Sequence, residues 1–436
     1  MTETGRLEPP AENTENAKQA EAARLQGHLR LPSAVALAIT IIVGSGALVT
    51  PGIAFQRAGE AALYSWIAAA VLTLPLLVMF AKLGAAHPGA GGIAGFTQAA
   101  FGRHAGAGVE LLLMGTFGLG IPGIALTGAN YLRAIPGLSG LPVSLGAAIL
   151  LVAAAGVVFT GVRLSARVQL VLALVLTIAL LAIGFAGTVR GAPLEHVPPP
   201  DGATLEAAVL AIGLIFFAFT GWEMITFTTE EYVDPRRDFP RVLVLSFVIV
   251  VTMYLLLAWA VQAHLPRDAD TTASAPVQAL VEGFASSAAP LVSVLGVVII
   301  AANLVGAIWG ASRLVMSSAR EGLLPPVLAR VNGADNPRQA VAACAAGFLA
   351  VIAASAVGWT SLSDLLTIAG QNFFLIYVIC SAGYLWLFPG GHRIFGVLVT
   401  AVLAAIAVTF GPLQLAYAAV LVVLGVVLSR LRTRTR

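Results

Sequence analysis

The sequence predicts an all-α polytopic membrane protein of about twelve transmembrane helices, and three observations carry that prediction. Of its 436 residues, 58% are hydrophobic and only 10% charged, with a mean hydropathy of +0.92. Soluble domains carry about a quarter charged residues. Apolar runs of about 20 residues, the length one helix needs to cross a bilayer, recur along the whole chain. The basic residues, finally, gather in alternate connections between those runs.

Taken in order, residues 1–30 mix acids and bases without the apolar core and small-residue cleavage site of a secretory signal, and read as a cytoplasmic tail. Candidate spans follow near 33–57, 60–84, 105–132, 142–160, 165–187, 204–229, 238–263, 287–315, 339–357, 361–387, 394–410 and 412–429. With the N-terminus inside, 20 of the 24 Lys and Arg residues fall on the inner side, and Arg57, Arg133, Arg190 and Arg267 on the outer. That bias places both termini in the cytoplasm, and it supports the span count because removing one span would scramble it. Residues 31–390 form the core, 391–429 two additional spans, and 430–436 a basic tail.

The outer connections near 190–203 and 264–286 are polar and turn-rich. On the inner side, "HPGAGGIAGFTQAAFG" reads as a bent interfacial segment, and "SAREGLLPPVLARVNGADNPRQ" as a short amphipathic helix lying along the membrane.

Several function classes are disfavoured. Cys344 and Cys380 lie in apolar runs and imply no disulfide or metal framework, so neither cofactor nor metal is expected. The pI near 9.1 comes from arginines scattered over short loops, which explains it without nucleic acid. His87, His104, His264 and His392 fall in loops or at span ends; no His-Glu-x-x-His, nucleophile elbow or aspartate-rich box appears, so an enzyme is not expected. No filter-like repeat or charged ring suggests a channel.

The first span is interrupted by Gly44, Ser45, Gly46 and Pro51 in "IIVGSGALVTPGIAF", and the sixth by Thr220, Gly221 and Glu223 in "LIFFAFTGWEMITFTTEE". Two broken helices five spans apart run in opposite directions, which points to a secondary transporter with inverted repeats. Backbone groups freed in hydrocarbon each cost several kcal/mol unless they line a polar cavity, so the breaks are the expected binding site. N–H groups after Gly46 suit a carboxylate, and carbonyls from Phe217 to Thr220 suit an ammonium. An α-amino acid satisfies both. Asn303, Gln371 and Asn372 are intramembrane amides that either line the pocket or hold helices together. Trp309 either walls the pocket or packs. Glu223 is either a protonatable switch or a bridge between helices; Glu110 and Arg133 lie near the ends of the third span.

At these residues the chain resembles the amino acid–polyamine–organocation superfamily of permeases. "VGSGALVTPG" is similar to that family's first-helix motif, "PGAGGIAGFTQAAFG" to its segment after the second helix, "FFAFTGWEMITFTTEEYVDPRRDFPR" to its sixth helix and following loop, and "SAREGLLPPVLARVN" to its loop after the eighth. The resemblance implies a LeuT-like core of ten helices in two inverted halves, five plus five, with two helices beyond it. It implies a carboxylate held at Gly44, Ser45 and Gly46, an amine held by the carbonyls of Ile42, Phe217 and Thr220 beside Gly221, and Phe217 closing over the substrate, with Phe216 and Phe219 as alternates. It also implies a bacterial cytoplasmic membrane, an amino acid substrate and lipid as the surrounding partner. A coupling proton and the oligomeric state are left open: the fifth span lacks the lysine of some proton-coupled relatives, and Ser312 lacks the adjacent hydroxyl partner of sodium-coupled ones. With Glu223 the only deeply placed ionisable group, neutral and hydrophobic substrates are favoured over a cationic amino acid or polyamine, which would recruit it as counter-charge. The spelling of the sixth helix is most similar to the bacterial methionine and branched-chain amino acid efflux group.

Overall fold

The computed structural model describes residues 31–86, 92–161, 166–190, 199, 201–222, 225, 235–331 and 337–433. The described elements are α1 (Leu31–Ile42), α2 (Ser45–Leu48), α3 (Thr50–Ala58), α4 (Ala62–Ala86), α5 (Gly92–Phe101), α6 (Arg103–Arg133), α7 (Val143–Thr160), α8 (Ala166–Arg190) and α9 (Gly202–Phe216). They continue as α10 (Pro235–His264), α11 (Asp270–Ser274), α12 (Pro276–Ala285), α13 (Ala289–Glu321), α14 (Arg338–Ala356), α15 (Leu362–Leu387), α16 (Gly391–Ala407) and α17 (Pro412–Thr433). Among the described residues, ten helices are long and apolar enough to cross a membrane, and Leu31–Thr40 and Gly391–Ala407 are shorter apolar helices. Helix is what hydrocarbon demands, because each peptide group then finds its partner within its own segment.

The long helix α6 is the hub, packed against α7, α13, α15 and α17. Small residues make its seam with α17 tight: a Cβ at Gly425 would lie 2.4 Å from the Ala107 carbonyl oxygen, and the Tyr417 hydroxyl donates to Gly115 O at 3.2 Å. Small-residue seams are how helices associate where lipid offers no hydrophobic drive. On the other side, α9 packs against α4 and α15, and α10 against α1, α4 and α8. Large apolar side chains such as Ile178 and Val189 are exposed on the outside of the bundle, as a lipid-facing surface requires. Asp201 caps α9 by accepting from Thr204 N–H at 2.8 Å, which holds its carboxyl below the usual carboxylate range.

Two connections differ from the sequence reading. The stretch read as an amphipathic inner helix is instead a continuation of α13 to Glu321, a left-handed Gly322 (φ +86) and a single 3-10 turn at Pro326–Ala329, with residues 332–336 outside the described set. Pro325 and Pro326 have no N–H to give a helix, and Gly322 ends α13 in a left-handed cap. The polar connection near 264–286 carries two helices, α11 and α12, the second opening on Pro276. The segment "HPGAGGIAGFTQAAFG" contains α5, with residues 87–91 outside the described set.

Candidate functional site

Both interruptions are present. Helix α1 closes with Val43 N–H donating to Ile39 O at 2.7 Å, and Gly44 leaves helical geometry at φ −138, ψ −130. The chain re-enters as the single turn α2, breaks again at Val49 (φ −126, ψ −31), and continues as α3 with Pro51 in its first turn. This second break falls beside Pro51, one of the residues expected to interrupt the span; Pro51 lacks the N–H that would bond back to the preceding turn, so a new helix starts there. In the other segment, α9 tightens at Phe217–Phe219 into a 3-10 turn, Thr220 is extended (φ −91, ψ 165), and Gly221 takes φ +108, a region side-chain-bearing residues rarely occupy.

The two breaks touch. A Cβ at Gly46 would lie 2.7 Å from the Ala218 Cα, so the peptide planes meet with no side chain between them. A Cβ at Gly44 would lie 2.7 Å from the Asn303 amide carbon, which brings α13 to the same point. Tyr254 of α10, which the sequence reading did not single out, donates from its hydroxyl towards Ala218 O at 2.9 Å and Ile42 O at 3.3 Å. The Thr220 hydroxyl and N–H both donate to Phe217 O, at 2.8 and 3.3 Å. Ser45 is buried within α2.

The three aromatics of the sixth segment have different surroundings. Phe216 is fully buried between Phe374 (ring centroids 4.7 Å) and Tyr377 (5.5 Å), and Phe219 between Trp66 (5.9 Å) and Tyr254 (5.5 Å). Phe217, by contrast, keeps 8% exposure and lies over glycines: a Cβ at Gly120 would be 3.2 Å from its ring. Phe216→Ala and Phe219→Ala are therefore expected to lower stability by about 3–5 kcal/mol in a denaturation assay, whereas Phe217→Ala is expected to leave a folded protein and raise the substrate concentration for half-maximal transport.

The remaining candidates are placed as follows. Gln371 lies against α9, its Cγ 2.6 Å from where a Cβ on Gly213 would sit. Its Oε1 and both amide atoms of the neighbouring Asn372 are buried without a hydrogen-bond partner among the described residues. Trp309 is 43% exposed, with the Arg313 guanidinium 3.8 Å above its ring, a cation–π pair. Glu223 lies outside the described residues, as does most of the loop motif that follows it.

One end of the site is roofed by α11 and α12. A Cβ on Gly52 of α3 would lie 1.7 Å from Thr272 O in α11, Gln56 Nε2 donates to Ala269 O at 3.0 Å, and Arg267 Nε donates to Gln56 O at 3.1 Å. The buried Tyr131 hydroxyl donates to Leu48 O at 2.8 Å, so α6 holds the α2 turn from behind. Arg57 and Asp364 form an ion pair at 3.8 Å on this same arginine-poor end; both are substantially exposed, so it contributes at most about 1 kcal/mol. At the opposite end the Ser318 hydroxyl donates to the buried Glu110 carboxylate, joining α13 to α6, and His104 Nδ1 pairs with the Ser429 hydroxyl at 2.9 Å.

Comparison with known proteins agrees with this architecture. Residues 29–429 match the family model described as "Amino acid permease". The chain is 29% identical to the uncharacterized amino acid permease YecA of Bacillus subtilis, over 92% of this chain and 95% of that one. It is 27% identical to the L-methionine/branched-chain amino acid exporter YjeH of Escherichia coli, over 86% and 89%. Among solved structures, that of MhsT in complex with L-phenylalanine aligns with a TM-score of 0.62 at 16% identity, covering 92% of this chain and all of that one.

Proposed function

The chain belongs to the amino acid permease family, and from that membership we propose that it moves neutral, hydrophobic L-amino acids across a bacterial cytoplasmic membrane by alternating access. The observation that carries this reading is the meeting of two interrupted helices at Gly46 and Ala218, with helix-free peptide groups on both sides of the contact. In hydrocarbon such groups are tolerated only where protein or a polar ligand satisfies them. The N–H groups of Ser45 and Gly46 suit a carboxylate, and the carbonyls of Ile42 and Thr220 an ammonium, whereas that of Phe217, expected to join them, already accepts both the hydroxyl and the N–H of Thr220; a zwitterion brings both ends. Phe217, beside Gly120, covers the side chain. The printed specificity of the Escherichia coli relative, methionine and branched-chain amino acids, is consistent with an apolar side-chain pocket.

The twelve-span topology in two inverted halves of five, plus two spans, belongs to the same proposal, as do cytoplasmic termini, which the crowding of 20 of the 24 basic residues on one side supports. The roof of α11 and α12 then faces outwards and the Glu110–Ser318 bridge inwards.

Reconstituted protein tests the reading. Saturable counterflow of leucine and methionine, with arginine inert, is the expected result; uptake confined to arginine or a polyamine would replace the substrate class. A pH step addresses Glu223. If its carboxyl carries the coupling proton, Glu223→Gln is expected to abolish acceleration by the step while leaving counterflow within about threefold of wild type, and a retained acceleration would remove Glu223 from that role.

A further inference from the structure

Three nitrogen-bearing side chains gather beside the turn between α15 and α16. Helix α15 starts at the arginine-poor end, where Asp364 pairs with Arg57, and its 26 residues carry the chain to the opposite end. There Lys82, near the end of α4, sets its ammonium 2.9 Å from His392 Nδ1 and 3.0 Å from Nε2, and Arg393 follows on the exposed first turn of α16. Among the described residues no carboxylate lies within ion-pair distance of Lys82 or Arg393. A neutral imidazole takes one proton of an ammonium and keeps an N–H of its own, so two ammonium protons are left to give, and the cluster is a set of donors without an acid. The turn itself is held by aromatic packing, with the Tyr384 ring 4.7 Å from Phe388 and 6.3 Å from Phe395, centroid to centroid. From this cluster α16 runs back along the bundle with Ile394 (67% exposed), Leu398 (62%) and Val402 (48%) four residues apart on one outward face.

We propose that Lys82, His392 and Arg393 bind the phosphate of an anionic phospholipid, one of whose acyl chains lies along Ile394, Leu398 and Val402. Charge complementarity selects the headgroup: two permanent cations and an imidazole, brought together from two helices, repel one another until an anion sits between them. The apolar face selects a lipid over a soluble anion. At 1.5 Å per residue the stripe from Ile394 to Val402 is about 12 Å long, close to the roughly 15 Å depth of one hydrocarbon leaflet. It starts at the donors, as the chain of a lipid held by its headgroup must. Trp386, 72% exposed in the last turn of α15, stands at the same level, where an indole ring borders the headgroup region. A lipid seated here also joins two parts of the bundle, since α4 packs against α9 and α16 against α15. The site is separate from the two breaks, so its occupancy is read by binding and does not depend on which solute is carried.

The test is lipid binding to the delipidated full chain in neutral detergent, read by native mass spectrometry and by the rise in unfolding midpoint. The probes are dioleoyl phosphatidylglycerol, dioleoyl phosphatidylcholine and inorganic phosphate. Phosphatidylglycerol is expected to bind at least tenfold more tightly than phosphatidylcholine and to raise the midpoint by several degrees, with inorganic phosphate inert at the same concentration. Lys82→Met and Arg393→Gln are each expected to weaken phosphatidylglycerol binding at least fivefold; Arg393 is exposed, so its variant carries the test should Lys82→Met not fold. Arg320→Gln, which removes an exposed charge from α13 at the same end of the bundle, is expected to leave binding within twofold. Equal binding of the two lipids, or equal losses in Arg320→Gln and Arg393→Gln, overturns the site in favour of diffuse surface attraction. Stabilisation by inorganic phosphate as large as that by phosphatidylglycerol overturns the lipid and leaves a soluble anion as the ligand.

Discussion

Replacing Gly46 with alanine is expected to cut leucine transport by one to two orders of magnitude while leaving a folded protein in the membrane. The added methyl carbon would lie 2.7 Å from the Ala218 Cα and 2.8 Å from its Cβ. An α-carbon cannot rotate out of the way, so one break must move bodily. Overpacking of this kind costs about 1–3 kcal/mol, and at about 1.4 kcal/mol per factor of ten the upper end corresponds to about a hundredfold. The strain falls on the spacing between the peptide groups proposed to hold the substrate, so it is expected in transport before it appears in stability. Gly44→Ala makes an informative contrast. Its methyl would meet the Asn303 amide at 2.7–2.8 Å, a side chain that can change rotamer, so the loss should be smaller. Initial rates of both variants, normalised to folded protein, check the order of effects; equal losses would mean that α13 is as immovable as the second break.

The second large effect is expected at the roof. Gly52 of α3 meets the Thr272 carbonyl of α11 so closely that a Cβ would lie 1.7 Å from the oxygen. With alanine there, α11 cannot seat on α3 as it does now. Gln56 and Arg267, which join the same two segments through peptide carbonyls, would be pulled out of register. Gly52→Ala is therefore expected to bind leucine, seen as a ligand-dependent rise in unfolding temperature, yet to lose counterflow almost completely, because a carrier that cannot close one end cannot alternate. Wild-type counterflow in this variant would show that closure of α11 and α12 is not part of the cycle.

The interruptions themselves were legible in the sequence, because Gly44, Gly46, Pro51 and Gly221 stand in runs that hydrocarbon would otherwise keep helical. Which of Phe216, Phe217 and Phe219 are enclosed by other aromatic rings was not. Successive helical positions point about 100° apart, and only the packing partners, Phe374 and Tyr377 for the first and Trp66 and Tyr254 for the last, tell the faces apart. Tyr254 was invisible for a similar reason: a lone tyrosine in "FVIVVTMYLLLAWAV" looks like any packed aromatic until both carbonyls appear beside its hydroxyl. The helix α12 did leave a signal. Pro276 at its start and Val277, Leu280 and Val281 at helical spacing mark an amphipathic helix, masked by the polar "DADTTASA" before it.

The central claim is that peptide groups at the two breaks hold the two ends of a zwitterion. Competition against radiolabelled leucine binding by N-acetyl-leucine and by leucinamide tests it most directly, since each analogue keeps the side chain and blocks one end. Both analogues should compete at least tenfold more weakly than leucine. If either competes as well as leucine, the end it blocks is not held by the broken helices, and the account of the site is wrong.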